Sequence, residues 1–166
     1  MIINTGARTD TVQYYTPWLL NRFRAGYAYV RNPLFPGTVT RYDLSPDVVD
    51  VVLFCSKNYA PILPHFHEIY DKFKVYCYYT ITAYGKDVEP NVPPIDESIE
   101  TLKSLSNLIG KNKVAWRYDP VLLTENYTVK THLQTFENMA ERLAPYVDRC
   151  IFSFVETYKK TAENMP

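Results

Sequence analysis

Short, nearly continuous apolar runs alternate along this chain with stretches in which apolar residues recur every three or four positions. The first pattern predicts strands and the second predicts helices. Strands are expected at Ile2-Ile3 and over 48–55, 75–82, 114–119 and 150–155. A hairpin is expected where 27–31 and 38–42 flank the Pro36-Gly37 turn. The first helix is expected to start at Thr16-Pro17, with threonine as N-cap, to carry Trp18, Leu19 and Phe23, and to stop at Gly26. A second carries Leu63, Phe66, Tyr70 and Phe73. The third has the longest stripe, Ile95, Ile99, Leu102, Leu105, Leu108 and Ile109, ending at Gly110. A fourth begins near Thr128 and is expected to bury Leu133, Phe136, Ala140 and Leu143, and half a helix is expected between Glu156 and Pro166.

Strand and helix thus alternate about five times at roughly 25–35 residue spacing, the signature of βαβ units on a parallel sheet. The run 48–55 is apolar apart from Asp50, which suits a strand buried on both faces. An open doubly wound sheet and an arc of a barrel both fit. A complete (β/α) barrel takes about 250 residues, and this chain has 166. The expected fold is therefore α/β: a partial (β/α) TIM-type barrel of about five parallel strands alternating with helices, a single domain over 1–166, truncated to between half and two-thirds of a barrel.

Composition narrows the function classes. Eighteen basic residues balance eighteen acidic ones, so no bulk charge draws the chain to nucleic acid or to an anionic membrane. No apolar run approaches the roughly twenty residues of a membrane span, and Met1-Ile2-Ile3 reads as a strand rather than a signal peptide. Cys55, Cys77 and Cys150 are odd in number, widely spaced and set in apolar runs, so they are expected to be buried and reduced, in a cytoplasmic protein. No GxGxxG, P-loop or GxSxG pattern follows a strand. His65, His67 and His132 lack the spacing of a zinc site, and surface or packing roles are expected of them; no metal site is expected. The fifteen tyrosines sit mostly in strand-like runs and are expected to pack the sheet.

The candidate chemistry lies where strands end. Parallel α/β folds bind ligands outside the carboxyl ends of their strands. The exits here are Arg8/Thr9/Asp10, Ser56/Lys57/Asn58, Thr82/Tyr84, Arg117/Asp119 and Ser153/Glu156. Along the strand Val114 to Asp119, Ala115, Arg117 and Asp119 share one face, and an arginine and an aspartate leaving a buried strand must be paired or in use. Any single exit could simply hold a structural ion pair; the repetition over five strands favours one shared site. Substrate binding is assigned to Arg8, Thr9, Lys57, Asn58, Thr82, Tyr84, Arg117 and Ser153, with the three cations holding phosphate or carboxylate. Asp119, Glu156 and Asp10 are the candidate proton-transfer residues. Lys86, Asp87 and Glu89 lie in a longer loop and are read as surface charge or a lid.

Six segments in this order carry a resemblance: Ala7-Arg8-Thr9-Asp10, Val30-Arg31-Asn32-Pro33, Ser56-Lys57-Asn58, Tyr84-Gly85-Lys86-Asp87-Val88-Glu89-Pro90, Trp116-Arg117-Tyr118-Asp119-Pro120 and Ser153-Phe154-Val155. Together they resemble the uncharacterised bacterial domain-of-unknown-function family DUF1848 over essentially the whole chain. The resemblance implies an incomplete TIM-type barrel. Longer members continue into a cysteine-rich segment like that of radical-SAM iron–sulfur enzymes, which implies a cluster and AdoMet for them. That segment is absent here, and Cys55, Cys77 and Cys150 do not match it, so the cofactor is left unknown. Two functions are expected to compete. One is an enzyme domain that binds a small anionic or zwitterionic substrate on the rim. The other is a non-catalytic domain that completes its barrel with a partner chain or by self-association.

Overall fold

The computed structural model describes residues 1–156; the half helix expected beyond Glu156 lies outside them. Five strands form one parallel sheet: β1 (Ile2–Asn4), β4 (Val51–Ser56), β5 (Val75–Thr80), β6 (Val114–Val121) and β7 (Arg149–Phe154). They lie side by side in chain order, each paired only with its sequence neighbours in the sheet. A doubly wound sheet reverses that order at a switch point; this one does not. Among the described residues the sheet is open, with β1 and β7 at its edges. The hairpin β2 (Tyr27–Arg31) and β3 (Val39–Asp43) forms a separate antiparallel ribbon, as the Pro36-Gly37 turn predicts.

Alternation sorts the sheet into two faces. Val52, Phe54, Cys77, Tyr79, Trp116 and Tyr118 lie on the face covered by helices and are buried. Phe66 meets Phe54 edge-on at 5.2 Å between ring centres, and Phe136 of α4 (Val129–Leu143) stacks on Trp116 at 4.9 Å. The other face carries Leu53, Cys55, Tyr76, Tyr78, Ala115, Arg117 and Asp119, in register across β4, β5 and β6. Among the described residues no helix covers it, and Cys55, Tyr78 and Arg117 stay half-buried.

The helices depart from the sequence reading in places. α1 (Thr11–Ala25) begins five residues before Thr16, capped by Asp10, whose carboxylate accepts from the Gln13 amide at 2.8 Å. Pro17 falls inside the helix, and the chain kinks at Tyr15, where proline removes a donor and crowds the preceding turn. The 63–73 segment is a 3₁₀ turn (Leu63–His65) and one α turn, α2 (His67–Tyr70). Pro61 and Pro64 supply no amide hydrogens there, yet Ile62, Phe66, Ile69 and Phe73 still reach the core. In α4 the buried stripe runs through His132, Phe136, Met139 and Leu143, leaving Leu133 65% exposed. α3 (Ile95–Ile109) follows its pattern except at Leu108, which is exposed while Ser98 and Ser106 are buried, and Gly110 closes it at φ +93°, a conformation that favours glycine. Gly6 has a different reason: a Cβ there would sit 2.7 Å from the Cys55 carbonyl oxygen, so the β1 exit can press on β4 only without a side chain.

Candidate functional site at the strand ends

Arg117 is the centre of the rim. It projects from β6 on the uncovered face, and its guanidinium bonds Asp119 on one side and the Cys55 sulfur, 3.1 Å away, on the other. Cys55 belongs to β4, so the arginine reaches over β5 and ties three adjacent strands together. Asp119 also accepts from the Ser153 hydroxyl of β7. The Asp119–Pro120 peptide is cis, and the β6–β7 register shifts between Tyr118 and Val121.

A second group adjoins it at the ends of β4 and β5. Lys57 pairs with Glu89 at 2.6 Å, and the other Glu89 oxygen accepts from the Thr82 hydroxyl at 2.9 Å. The Glu89 side chain is only 15% exposed, so the 85–90 segment folds over the rim rather than standing away from it. Its anchor is Tyr127, whose hydroxyl accepts from the Gly85 amide and donates to Asp87. Of the two expectations for this loop, surface charge or a lid, Glu89 fits the second by folding over the rim, while Asp87 stays exposed and bonded to Tyr127. The Tyr-Gly-Lys-Asp segment concealed this because its partners are 32 to 42 residues away in the chain.

Other predicted site residues are held by hydrogen bonds within the fold. Asp10 caps α1 and takes two more donors, the Ser56 hydroxyl at 2.8 Å and the Lys57 amide at 3.0 Å. All three bonds position β1, α1 and β4, so Asp10 braces the fold. Asn58 shapes the turn after β4, accepting from the Ala60 amide. The Tyr84 hydroxyl donates to the Pro120 carbonyl at 2.7 Å and accepts from the Leu122 amide at 2.6 Å, fixing the exit of β6; burial raises its pKa. His132 bonds the Tyr118 hydroxyl at 2.7 Å and lies 3.0 Å from the Leu122 carbonyl, which makes it a packing residue as expected. Arg8 and Thr9 do not join the rim. They line a separate cleft by the hairpin, where Arg8 donates to the Arg31 carbonyl at 2.8 Å. Glu156 follows β7 and is exposed.

The cysteines divide across the sheet. Cys77 is fully buried on the helical face, and desolvation pushes its thiol pKa far up, so it stays protonated. Cys55 is half-buried on the opposite face and Cys150 is exposed, which corrects the expectation that all three are buried. Alternation predicts opposite faces for Cys55 and Cys77 only once their strands are in register, and the register comes from tertiary pairing. Three thiols that do not converge do not fit an iron–sulfur cluster. No group of three or more metal-ligating side chains occurs among the described residues. Nor is any helix among them long and apolar enough to cross a membrane.

Fold and site together define a parallel α/β domain in which the polar exits of β4, β5, β6 and β7 lie on one rim and that of β1 turns to a separate cleft. The chain belongs to the family described as Domain of unknown function (DUF1848), whose model matches residues 2–166. No curated protein and no solved structure matches it.

Proposed function

We propose that this domain is an arc of a TIM-type (β/α) barrel and that its rim binds a small anionic or zwitterionic substrate, as part of an enzyme. The observation that carries the reading is Arg117. A half-buried guanidinium at the carboxyl ends of the central strands is held in place by Asp119 and Cys55, and these two bonds use only part of its five donors. Lys57 is the second cation, with Glu89 in place of Asp10 as the neighbouring carboxylate. Asp119, with Ser153 at one oxygen and Arg117 at the other, orients the arginine and is the candidate base; Glu156 lies at the next strand exit. Strand order in sequence is what a barrel wall requires, and it supports the barrel reading.

The test is thermal stabilisation of the whole chain by phosphate, pyrophosphate, succinate and glycine betaine, followed by calorimetry on any that shift the midpoint. Arg117→Gln is expected to abolish the response while the protein remains folded. A response identical in wild type and Arg117→Gln counts against the rim.

A second reading, a non-catalytic domain completing its sheet with another copy of itself, has one observation in its favour. Phe152 and Phe154 on edge strand β7 are 61% and 65% exposed, and with Leu133 and Val129 of α4 they border an apolar groove of about 270 Å³. Open, apolar edges invite pairing. Sedimentation over a wide concentration range would show it; a monomer throughout removes it.

A further inference from the structure

A second cleft lies away from the rim. It has a volume of about 530 Å³ and lies between α1, the free edge of β1 and the β2–β3 hairpin. We infer that this cleft binds a small anion carrying a flat ring. Its size is within the range of small-molecule sites.

Its charge is one-sided. Arg8, Arg22 and Arg31 are among its walls, and no aspartate or glutamate is. None of the three arginines has a carboxylate within ion-pair distance among the described residues, although Arg24, Arg117 and Arg142 all do. Arg22 gives the second observation. Its Nε is buried with no hydrogen-bond partner, while its Nη2 donates to Asn21. The Nε is closed off from the cleft and the guanidinium packs over the Tyr27 ring, 5.6 Å from its centre, so Arg22 offers the cleft its charge and its remaining Nη hydrogens. Arg8 is fixed by its bond to the Arg31 carbonyl, so its remaining donors are already oriented.

The rest of the lining selects the body of the ligand. Trp18 is 50% exposed and Tyr42 39%, on α1 and on β3, while the register places the Tyr29 side chain on the other face of the hairpin. Exposed aromatic faces beside guanidinium groups favour a planar ring with an attached negative group. A nucleotide and an aromatic carboxylate share that chemistry. A polyanion is disfavoured, because the chain's formal charge is zero and long-range attraction to a phosphate backbone is missing. This inference does not rest on the rim: Arg117 and Lys57 are outside the cleft.

Tryptophan fluorescence reads the site directly, since Trp18 borders the cleft and Trp116 is only 1% exposed. The full chain is titrated with AMP and with benzoate, against adenosine and inorganic phosphate as half-ligands. Saturable quenching by AMP or benzoate, at least about tenfold tighter than by either half-ligand, is expected, and the better of the two identifies the source. Arg22→Gln and Arg8→Gln are each expected to weaken it by about tenfold or more. Arg8 is exposed, so its variant carries the test if Arg22→Gln does not fold. The inference is overturned by no saturable quenching up to about 10 mM or by unchanged affinity in both variants. Loss in Arg117→Gln alone, or tighter, steeply salt-dependent binding of a single-stranded oligonucleotide, also overturns it.

Discussion

Arg117 donates to Asp119 on its own strand and to Cys55 two strands away. Its removal therefore has two consequences of different kinds. One is the loss of a tie across the sheet. The other is that Asp119, whose side chain is 14% exposed, keeps only Ser153 as a partner. A carboxylate that shielded loses more than an exposed one when its cation goes, but the partial exposure of Arg117 limits the effect. Arg117→Ala is expected to cost about 1–2 kcal/mol. The Arg117→Ala/Asp119→Ala double variant should cost about 1 kcal/mol less than the sum of the single ones. Urea unfolding of the four proteins checks this, and strict additivity would mean that the pair is energetically inert. Both residues were legible in sequence, because alternation places them on one face and burial of the strand demands a reason for them. Cys55 and Glu89, their neighbours on the rim, were not: each acquires its role from a residue 62 or 32 positions away.

At the scale of elements, the first helix shows how local signals compete. Thr16-Pro17 is a good helix start, and Asp10 is a better one here because its second carboxylate oxygen is also taken by Ser56 and Lys57 of the neighbouring strand exit. The cap and the tertiary brace are one side chain. Asp10→Ala is expected to destabilise the fold by about 1–2 kcal/mol, within the range for a lost cap. Asp10→Asn should recover a large part of that, since asparagine caps about as well. Denaturant midpoints of the two variants decide it; an equal loss in both would place the role in charge rather than in capping. α4 teaches the same lesson. Leu133 and His132 both fit an amphipathic pattern, and the structure buries the histidine because Tyr118 and the Leu122 carbonyl satisfy it. Hydropathy alone ranks the two the other way.

The whole molecule is a tyrosine-rich parallel sheet, and its pH behaviour follows. Burial pushes the Tyr79 hydroxyl up to about 12 and raises Tyr59 and Tyr118 well above their ordinary value, with the Cys77 thiol raised as well. The folded chain therefore holds these protons more tightly than the unfolded chain does. Their contribution to stability is complete below the unfolded values, about 8.5 for cysteine and about 10 for tyrosine, and is lost as pH rises beyond them. Guanidine midpoints are expected to fall from about pH 9 upward. Phenolate absorbance should show exposed tyrosines titrating near pH 10 and a buried set ionising only with unfolding. A single titration of all fifteen tyrosines without unfolding would contradict the burial.

Periodicity by itself determined the succession of strands and helices, the hairpin, the third helix, and the placing of polar residues at strand exits. These are local consequences of which side chains can share a face with a core. Register, helix starts set by distant donors, and the division of the exits into two places were decided only by tertiary structure. Arg117, Asp119 and Ser153 came together on the rim, Lys57 paired with Glu89, and Arg8 and Thr9 turned away to the hairpin cleft. Each of those outcomes depends on a partner dozens of residues away, and no local pattern carries that information.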